Sequence, residues 1–129
     1  MEKQKNYSVL EFGPLEKVSR MMLKEGLMLT GAEISVNTLP AGKAIPFVHA
    51  HKRNEEIYLF TRGKGHFWLD GTIVPVQEGS AVRVSPEGGR CLKADDAQSL
   101  CYFCIQVDAN SLVQATRDDG FLVDVKPEW

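Results

Sequence analysis

The chain has 129 residues, enough for one domain with one hydrophobic core, since most domains have roughly 100–150 residues. Its composition, with 43% hydrophobic and 25% charged residues, excludes a disordered or fibrous chain. A formal net charge of −2 and the lack of a basic stripe argue against nucleic acid as a partner.

The sequence also carries no pattern typical of membranes or of export. No apolar run reaches the roughly 18 residues of a membrane span, and no apolar leader follows the polar beginning of the chain. Three cysteines, an odd number, predict reduced thiols rather than a disulfide framework. We therefore expect a cytoplasmic protein that binds neither membrane nor nucleic acid.

The first predicted element lies within Leu15–Leu29. Apolar residues recur there at a loosely helical spacing that Gly26 interrupts. The segment is predicted to form either a short helix or an edge strand.

The middle of the chain consists of short β-branched and aromatic runs separated by glycine and proline. This pattern is typical of an all-β sandwich or barrel. The predicted strands are Glu33–Leu39, Phe47–His51, Glu56–Phe60, His66–Asp70, Thr72–Val76, Ala81–Val84, Arg90–Lys93 and Leu100–Val107.

Glycine-containing turns separate several of these strands. Asp70-Gly71 is a strong hairpin signal because both positions of such a turn favour positive φ, and Gly63-Lys64-Gly65 and Gln77-Glu78-Gly79 are similar. We expect these turns to join consecutive antiparallel strands. The tail Gly120–Trp129 alternates apolar and polar residues, which predicts one more strand, with Trp129 packing on a partner subunit.

The tripeptide His49-Ala50-His51 carries the strongest chemical signal. On a strand, residues two apart project from the same face, so the two imidazoles can converge on one point. An antiparallel hairpin would return Glu56 beside them, with Tyr58 and Phe60 on the same face as pocket walls. Two histidines and a carboxylate suit a divalent Fe, Mn, Zn or Ni ion. The alternative is that all three are solvated polar residues.

These residues also support a family resemblance. His49, His51 and Glu56, followed by Gly63, resemble the first motif of the cupins, and the resemblance covers about residues 31–107. It implies an all-β fold, a cupin-type double-stranded β-helix or jelly-roll barrel, as a single domain over 1–129. The N- and C-terminal extensions are then expected to pack on the barrel or on a partner, and a homodimer is expected.

The second cupin motif is incomplete. Gly79, Pro86 and Gly88 trace it, but its metal-binding histidine is missing. Counting from Gly79 puts Arg90 at that position, whereas counting from Pro86 and Gly88 puts Cys91 there. Because neighbouring strand residues face opposite ways, only one of the two can point inward. Cys91 would be a fourth ligand, and Arg90 would bind a carboxylate or phosphate of a substrate.

The remaining histidine and cysteines are expected to have structural roles. Cys101 and Cys104 lie three apart within a strand and so face opposite sides, which argues against a shared metal. His66 is expected to be solvated or satisfied by hydrogen bonds.

Two functions are compatible with this resemblance. Cupins include dioxygenases, sugar isomerases and epimerases, and decarboxylases, so the first hypothesis is a metal-dependent enzyme that acts on a small polar molecule. The second is a non-catalytic cupin that binds or senses a small molecule or a metal, which the missing histidine favours. No catalytic residue is assigned.

Overall fold

The computed structural model describes residues 5–129, and in it β-strands form the body of the molecule. The strands are β1 Arg20–Met22, β2 Glu33–Leu39, β3 Asn54–Arg62, β4 Lys64–Leu69, β5 Thr72–Gln77, β6 Ala81–Val84, β7 Arg90–Ala94 and β8 Leu100–Asp108. The helices are short: α1 Lys24–Leu27 and single 3-10 turns at Leu15–Lys17 and Arg117–Asp119. No helix among the described residues has the length and hydropathy that a membrane crossing requires.

The strands form two antiparallel sheets. The larger has the order β1-β2-β8-β3-β6 and the smaller the order β5-β4-β7. This arrangement confirms the predicted all-β fold of the double-stranded β-helix type. Each strand presents one face to the opposite sheet, because successive side chains of a strand alternate between its two sides.

The main core fills the space between the sheets toward one end. Aromatic side chains from both sheets meet there, and the ring centroids of Tyr58 and Phe67 are 4.7 Å apart in an edge-to-face contact. Leu92 and Leu100 are buried in the same cluster, as is Ala94. Polar side chains, among them Glu56 and Arg90, occupy the opposite end of this interior.

The N-terminal segment covers the outer face of the larger sheet. Val18 and Leu23 pack on Val36 of β2 to form a second apolar cluster, and Phe12 contacts Phe103 edge to face. A short helix or an edge strand was predicted within Leu15–Leu29, and the segment contains both. The 3-10 turn, the edge strand β1 and the helix α1 follow one another there. Gly26 lies inside α1, whose four residues make one turn.

The three glycine turns have different topological roles. Asp70 and Gly71 have φ values of 47° and 93° and join β4 to β5 as a hairpin, as predicted. Gly63 and Gly79 also have positive φ. The prediction that their turns join paired neighbours is wrong, because each carries the chain from one sheet to the other.

We expect Gly63→Ala to destabilise the protein far more than Gly79→Ala. Both glycines have positive φ, which costs an alanine about 1–2 kcal/mol. A Cβ at position 79 would meet no atom within 4 Å, whereas at position 63 it would overlap the backbone carbonyl of Ser99. Urea denaturation measures both variants, and equal losses of unfolding free energy would contradict the close approach of these two backbone segments.

The C-terminal strand predicted within Gly120–Trp129 is wrong. Residues 120–129 form no strand, and all of them are exposed. Alternation of apolar and polar residues favours a strand only where a neighbouring strand offers hydrogen bonds, and the barrel places none beside this segment.

Candidate metal centre

His49 and His51 lie in the connection between β2 and β3, which runs alongside β7. His49 and Arg90 form a backbone bridge, with N···O distances of 3.2 and 3.1 Å, and the amide of His51 donates to Pro86 O at 2.7 Å. The prediction of a regular strand over Phe47–His51 is wrong. The bridges of Ala44 to Lys93 and of His49 to Arg90 are five positions apart on this connection but three apart on β7, so regular pairing is interrupted between them.

The bridge nevertheless fixes the two imidazoles on one side of the backbone. Their ring centroids are 5.2 Å apart, with planes inclined by 83°. His49 Nε2 lies 3.7 Å from Glu56 Oε1, and His51 Nε2 lies 3.2 Å from Glu56 Oε2. One ligand atom from each of these three residues lies within 4.8 Å of the others, so the group could hold a metal ion.

The carboxylate of Glu56 on β3 is the centre of a hydrogen-bond network. It is buried, and its Oε1 accepts from Tyr58 Oη at 2.6 Å and from Arg90 Nη1 at 2.8 Å. Its Oε2 accepts from Cys104 Sγ at 3.2 Å. A buried carboxylate with this many donors is held in one orientation.

These contacts determine the protonation of the network. Burial alone raises the pKa of Glu56, but the hydrogen bonds from Tyr58, Cys104 and Arg90 outweigh it and leave this pKa below its ordinary value. Burial, reinforced by the charge of Glu56, raises the pKa of Cys104 to about 12, and burial also raises the pKa of Tyr58. At neutral pH Glu56 is therefore ionised, while its two neighbours keep the protons that they donate.

Arg90 is the residue that points inward at the position of the missing histidine. Its exposed fraction is 1%, and apart from the bond to Glu56 its guanidinium donates to the carbonyls of Ser85, Pro86 and Gly88 at 2.8–3.1 Å. Arg90 thus closes the turn before β7 and balances the charge of Glu56. These contacts engage the donors that a bound substrate would need.

Cys91, one residue further, faces the other way. Its thiol donates to the carbonyl of Ile45 at 3.1 Å, and it is outside the group of His49, His51 and Glu56. The structure therefore does not bring the suggested fourth ligand together with the other three. Arg90 therefore occupies the position of the missing histidine, as counting from Gly79 predicts.

Comparison with known proteins identifies the family. No protein-family model matches the sequence, and no curated protein matches it. Among solved structures, a cupin protein from Bacteroides fragilis has 42% sequence identity and a TM-score of 0.88, over 93% of this chain and 99% of that one. The chain belongs to the cupin superfamily.

More distant structures share the cupin fold alone. A Cupin 2 conserved barrel domain protein from Salinispora arenicola has 18% identity and a TM-score of 0.63, over 84% of this chain and 90% of that one. A predicted oxalate decarboxylase from Thermotoga maritima has 21% identity and a TM-score of 0.55, over 58% of this chain and 64% of that one.

The imidazoles of this cupin have the free nitrogens that a metal needs. His49 Nδ1 and His51 Nε2 are buried, and neither has a hydrogen-bond partner among residues 5–129. His51 Nε2 is close to Glu56 Oε2 but lacks the alignment of a hydrogen bond. Of these two nitrogens, His51 Nε2 is the one that faces the carboxylate, at 3.2 Å, whereas His49 faces it with its other nitrogen, Nε2, at 3.7 Å. Both Nε2 distances fit bonds of about 2.1 Å to an ion shared with Glu56. The donor set therefore fits a divalent metal.

The charge state of His49 supports the same conclusion. Burial lowers the pKa of His49 below 6.5, and the neighbouring Arg90 lowers it further, against the opposing effect of Glu56. A neutral imidazole at neutral pH keeps a lone pair available for coordination.

A cavity of about 290 Å³ lies over this group. Its walls include Ile45, Phe47 and Leu92, and the exposed residues Ser19 and Arg20 also line it, so it opens to solvent beside β1. The volume is at the lower end of the roughly 300–1,000 Å³ that is usual for small-molecule sites.

Of the two predicted pocket walls, one lines this cavity. Tyr58 does, with its hydroxyl bonded to Glu56. Phe60 shares the strand face but lies in the core cluster, beyond the lining of the cavity. Strand alternation predicts which face of the sheet a side chain occupies, but not how far along the barrel it lies.

Several polar lining residues escaped the sequence reasoning. Ser35 and Asn37 of β2 face the cavity, as do Cys104 and Gln106 of β8. Polar residues at alternate positions, with Val36 between Ser35 and Asn37, were the available signal, because a polar inner face in a barrel strand is typical of a site.

The prediction that Cys101 and Cys104 face opposite sides of their strand is confirmed, since Cys101 contacts Thr38 and Cys104 contacts Glu56.

Proposed function

We propose that this cupin holds one divalent metal ion on His49, His51 and Glu56 and acts as a metal-dependent enzyme on a small molecule. The observation that carries the proposal is the convergence of two imidazoles on one ionised carboxylate, with ligand atoms of all three residues within 4.8 Å of one another and His51 Nε2 buried without a hydrogen-bond partner. Three protein ligands leave coordination positions open, as in catalytic rather than structural metal sites.

A bound metal would supply Lewis acidity toward a carbonyl or enediol, or activate dioxygen if it is iron. The protein's own residues orient the ligand carboxylate and line the cavity. Arg90 and Tyr58 hold the carboxylate of Glu56 in place, and Ile45 and Phe47 give the cavity an apolar wall. Isomerase- or epimerase-type and dioxygenase-type reactions are both compatible with this arrangement.

The charges favour a small anionic substrate. Arg90 already neutralises Glu56, so the charge of a divalent ion would be left for an incoming ligand to balance. Arg20 lines the open side of the cavity and adds a second positive charge there. A small carboxylate or an enolisable acid matches both the volume and this charge.

A second candidate function is a cupin that binds its ligand without catalysis. The specific observation in its favour is the ion pair of Arg90 Nη1 with Glu56 Oε1 at 2.8 Å, which competes with a metal for the same carboxylate oxygen. A site that keeps this pair would bind a small molecule with weak or no metal dependence.

Titration of chelator-treated protein with Co²⁺ and Zn²⁺ tests the proposal. We expect one equivalent to bind, with the absorption of a nitrogen- and oxygen-ligated Co²⁺, and elemental analysis of untreated protein to find about one equivalent of Fe, Mn, Zn or Ni. Failure of every one of these ions to bind at micromolar concentration would reject the metal site and favour the second candidate.

A cytoplasmic location is part of the proposal. Cys91, Cys101 and Cys104 are all free thiols. Reduced thiols suit the cytoplasm, where disulfides are rare.

A further inference from the structure

The C-terminal arm, residues 109–129, is the least covered part of the structure. Residues 110–129 are exposed throughout, and their hydrogen bonds are local ones such as Gly120 to Arg117 and Val125 to Val123. Seven large apolar side chains of the arm are exposed: Leu112, Val113, Phe121, Leu122, Val123, Val125 and Trp129. Leu122 and Trp129 are almost completely exposed, at 99% and 105%.

This composition is not that of a solvated linker. Disordered tails are poor in aromatic and β-branched residues, whereas the arm keeps two aromatic residues, Phe121 and Trp129, and four β-branched ones. Seven exposed apolar side chains on one segment favour a surface that covers them, and the barrel of the same chain leaves them uncovered.

The edge of the larger sheet offers such a surface. β1 pairs only with β2, all three of its residues are exposed, and Met21 and Met22 are among the exposed large apolar residues. An open sheet edge accepts an extended segment through backbone hydrogen bonds, and methionine side chains adapt to an incoming partner. The edge strand of the smaller sheet, β5, is less suitable because it contains Pro75, which cannot donate.

The charges of the two segments are complementary. From residue 17 to residue 24 the only charged side chains are basic: Lys17, Arg20 and Lys24. In the arm four acidic residues outnumber two basic ones: Asp118, Asp119, Asp124 and Glu128 against Arg117 and Lys126. Complementary charges set the register and orientation of such a contact.

We propose that two copies of this chain exchange their C-terminal arms, and that each arm lies along β1 of the partner barrel. The arrangement closes with two-fold symmetry because each copy offers one arm and one edge. The seven exposed apolar side chains of each arm are the surface that the exchange would cover.

The exchange would also affect the metal site. Ser19, Arg20 and Met22 line the cavity on its open side. A partner arm on β1 would therefore form an outer wall of the cavity, so each site would be completed by the other copy. The proposal does not depend on the metal, and it can be tested on metal-free protein.

Sedimentation equilibrium on the full chain is the first test. We expect a dimer for the natural sequence, and a dissociation constant raised on the order of 100-fold in the arm variant F121D/V123D. The matched control is Ile73→Asp, which changes an exposed apolar residue of β5 and should leave the dimer intact. A monomeric natural chain, or a dimer that F121D/V123D leaves unchanged, would overturn the proposal.

Hydrogen exchange and charge reversal test the docking position. The amides of Arg20 and Met22, which point away from β2 toward the open edge, should be protected in the dimer and lose at least about 10-fold of that protection in F121D/V123D. Arg20→Glu should weaken the dimer and Asp124→Arg in the same chain should restore it. Unchanged protection of β1 in the arm variant would reject β1 as the docking site.

Discussion

Replacing His49 or His51 by alanine is expected to lower the affinity for Co²⁺ or Zn²⁺ by more than about 100-fold, since even residues that only support a metal ligand contribute 10–100-fold. Each substitution removes one of three protein ligands that the structure brings within 4.8 Å of one another. Isothermal titration of metal-free protein measures the affinity, and circular dichroism verifies that the barrel is intact.

His66→Ala is the matched control for this experiment. His66 is exposed on β4 and is outside the group of three ligands, so its loss should leave the affinity unchanged. Equal affinities for the natural protein and both ligand variants would show that bound metal resides elsewhere. A similar loss in His66→Ala would point to nonspecific coordination by surface histidines.

Replacing Arg90 by methionine is expected to lower the free energy of unfolding by about 3–5 kcal/mol, the usual cost of breaking a buried ion pair on one side. The substitution leaves the Glu56 carboxylate buried without its cation and removes one donor from each of three carbonyls of the turn 85–88. Chemical denaturation of metal-free protein measures the loss.

Two further variants separate this effect from a general loss of charge. Arg53→Met removes a cation whose pair with Asp108 is exposed, and the midpoint of unfolding should stay where it is. In the double variant R90M/E56Q the unpaired charge is absent, so part of the lost stability should return. If R90M/E56Q is no more stable than R90M, the ion pair is not the cause.

Much of the barrel was predictable from local patterns. β2 and β6 have the predicted bounds because alternation and flanking turns define them within a few residues of sequence. The histidine pair and Glu56 were found from their spacing and their resemblance to the first cupin motif, although a bridge from His49 to Arg90, and not a regular strand, fixes the imidazoles beside Glu56.

The remaining features depend on distant parts of the chain. Whether Arg90 or Cys91 points inward depends on the number of residues in the turn before β7. A turn longer or shorter by one residue would move every side chain of β7 to the opposite face. Whether Gly63 makes a hairpin or a crossover depends on where β4 finds its partners. The tail has a strand pattern but no strand beside it in its own barrel.

The turn at residues 85–88 connects the two halves of the candidate metal site. Its carbonyls accept from Arg90, which orients Glu56, and Pro86 O also accepts the amide of His51. The ligands from two separate segments are thus oriented by a common piece of backbone before anything binds. Most of the entropic cost of ordering them falls on folding rather than on binding, which leaves more of the interaction energy for affinity.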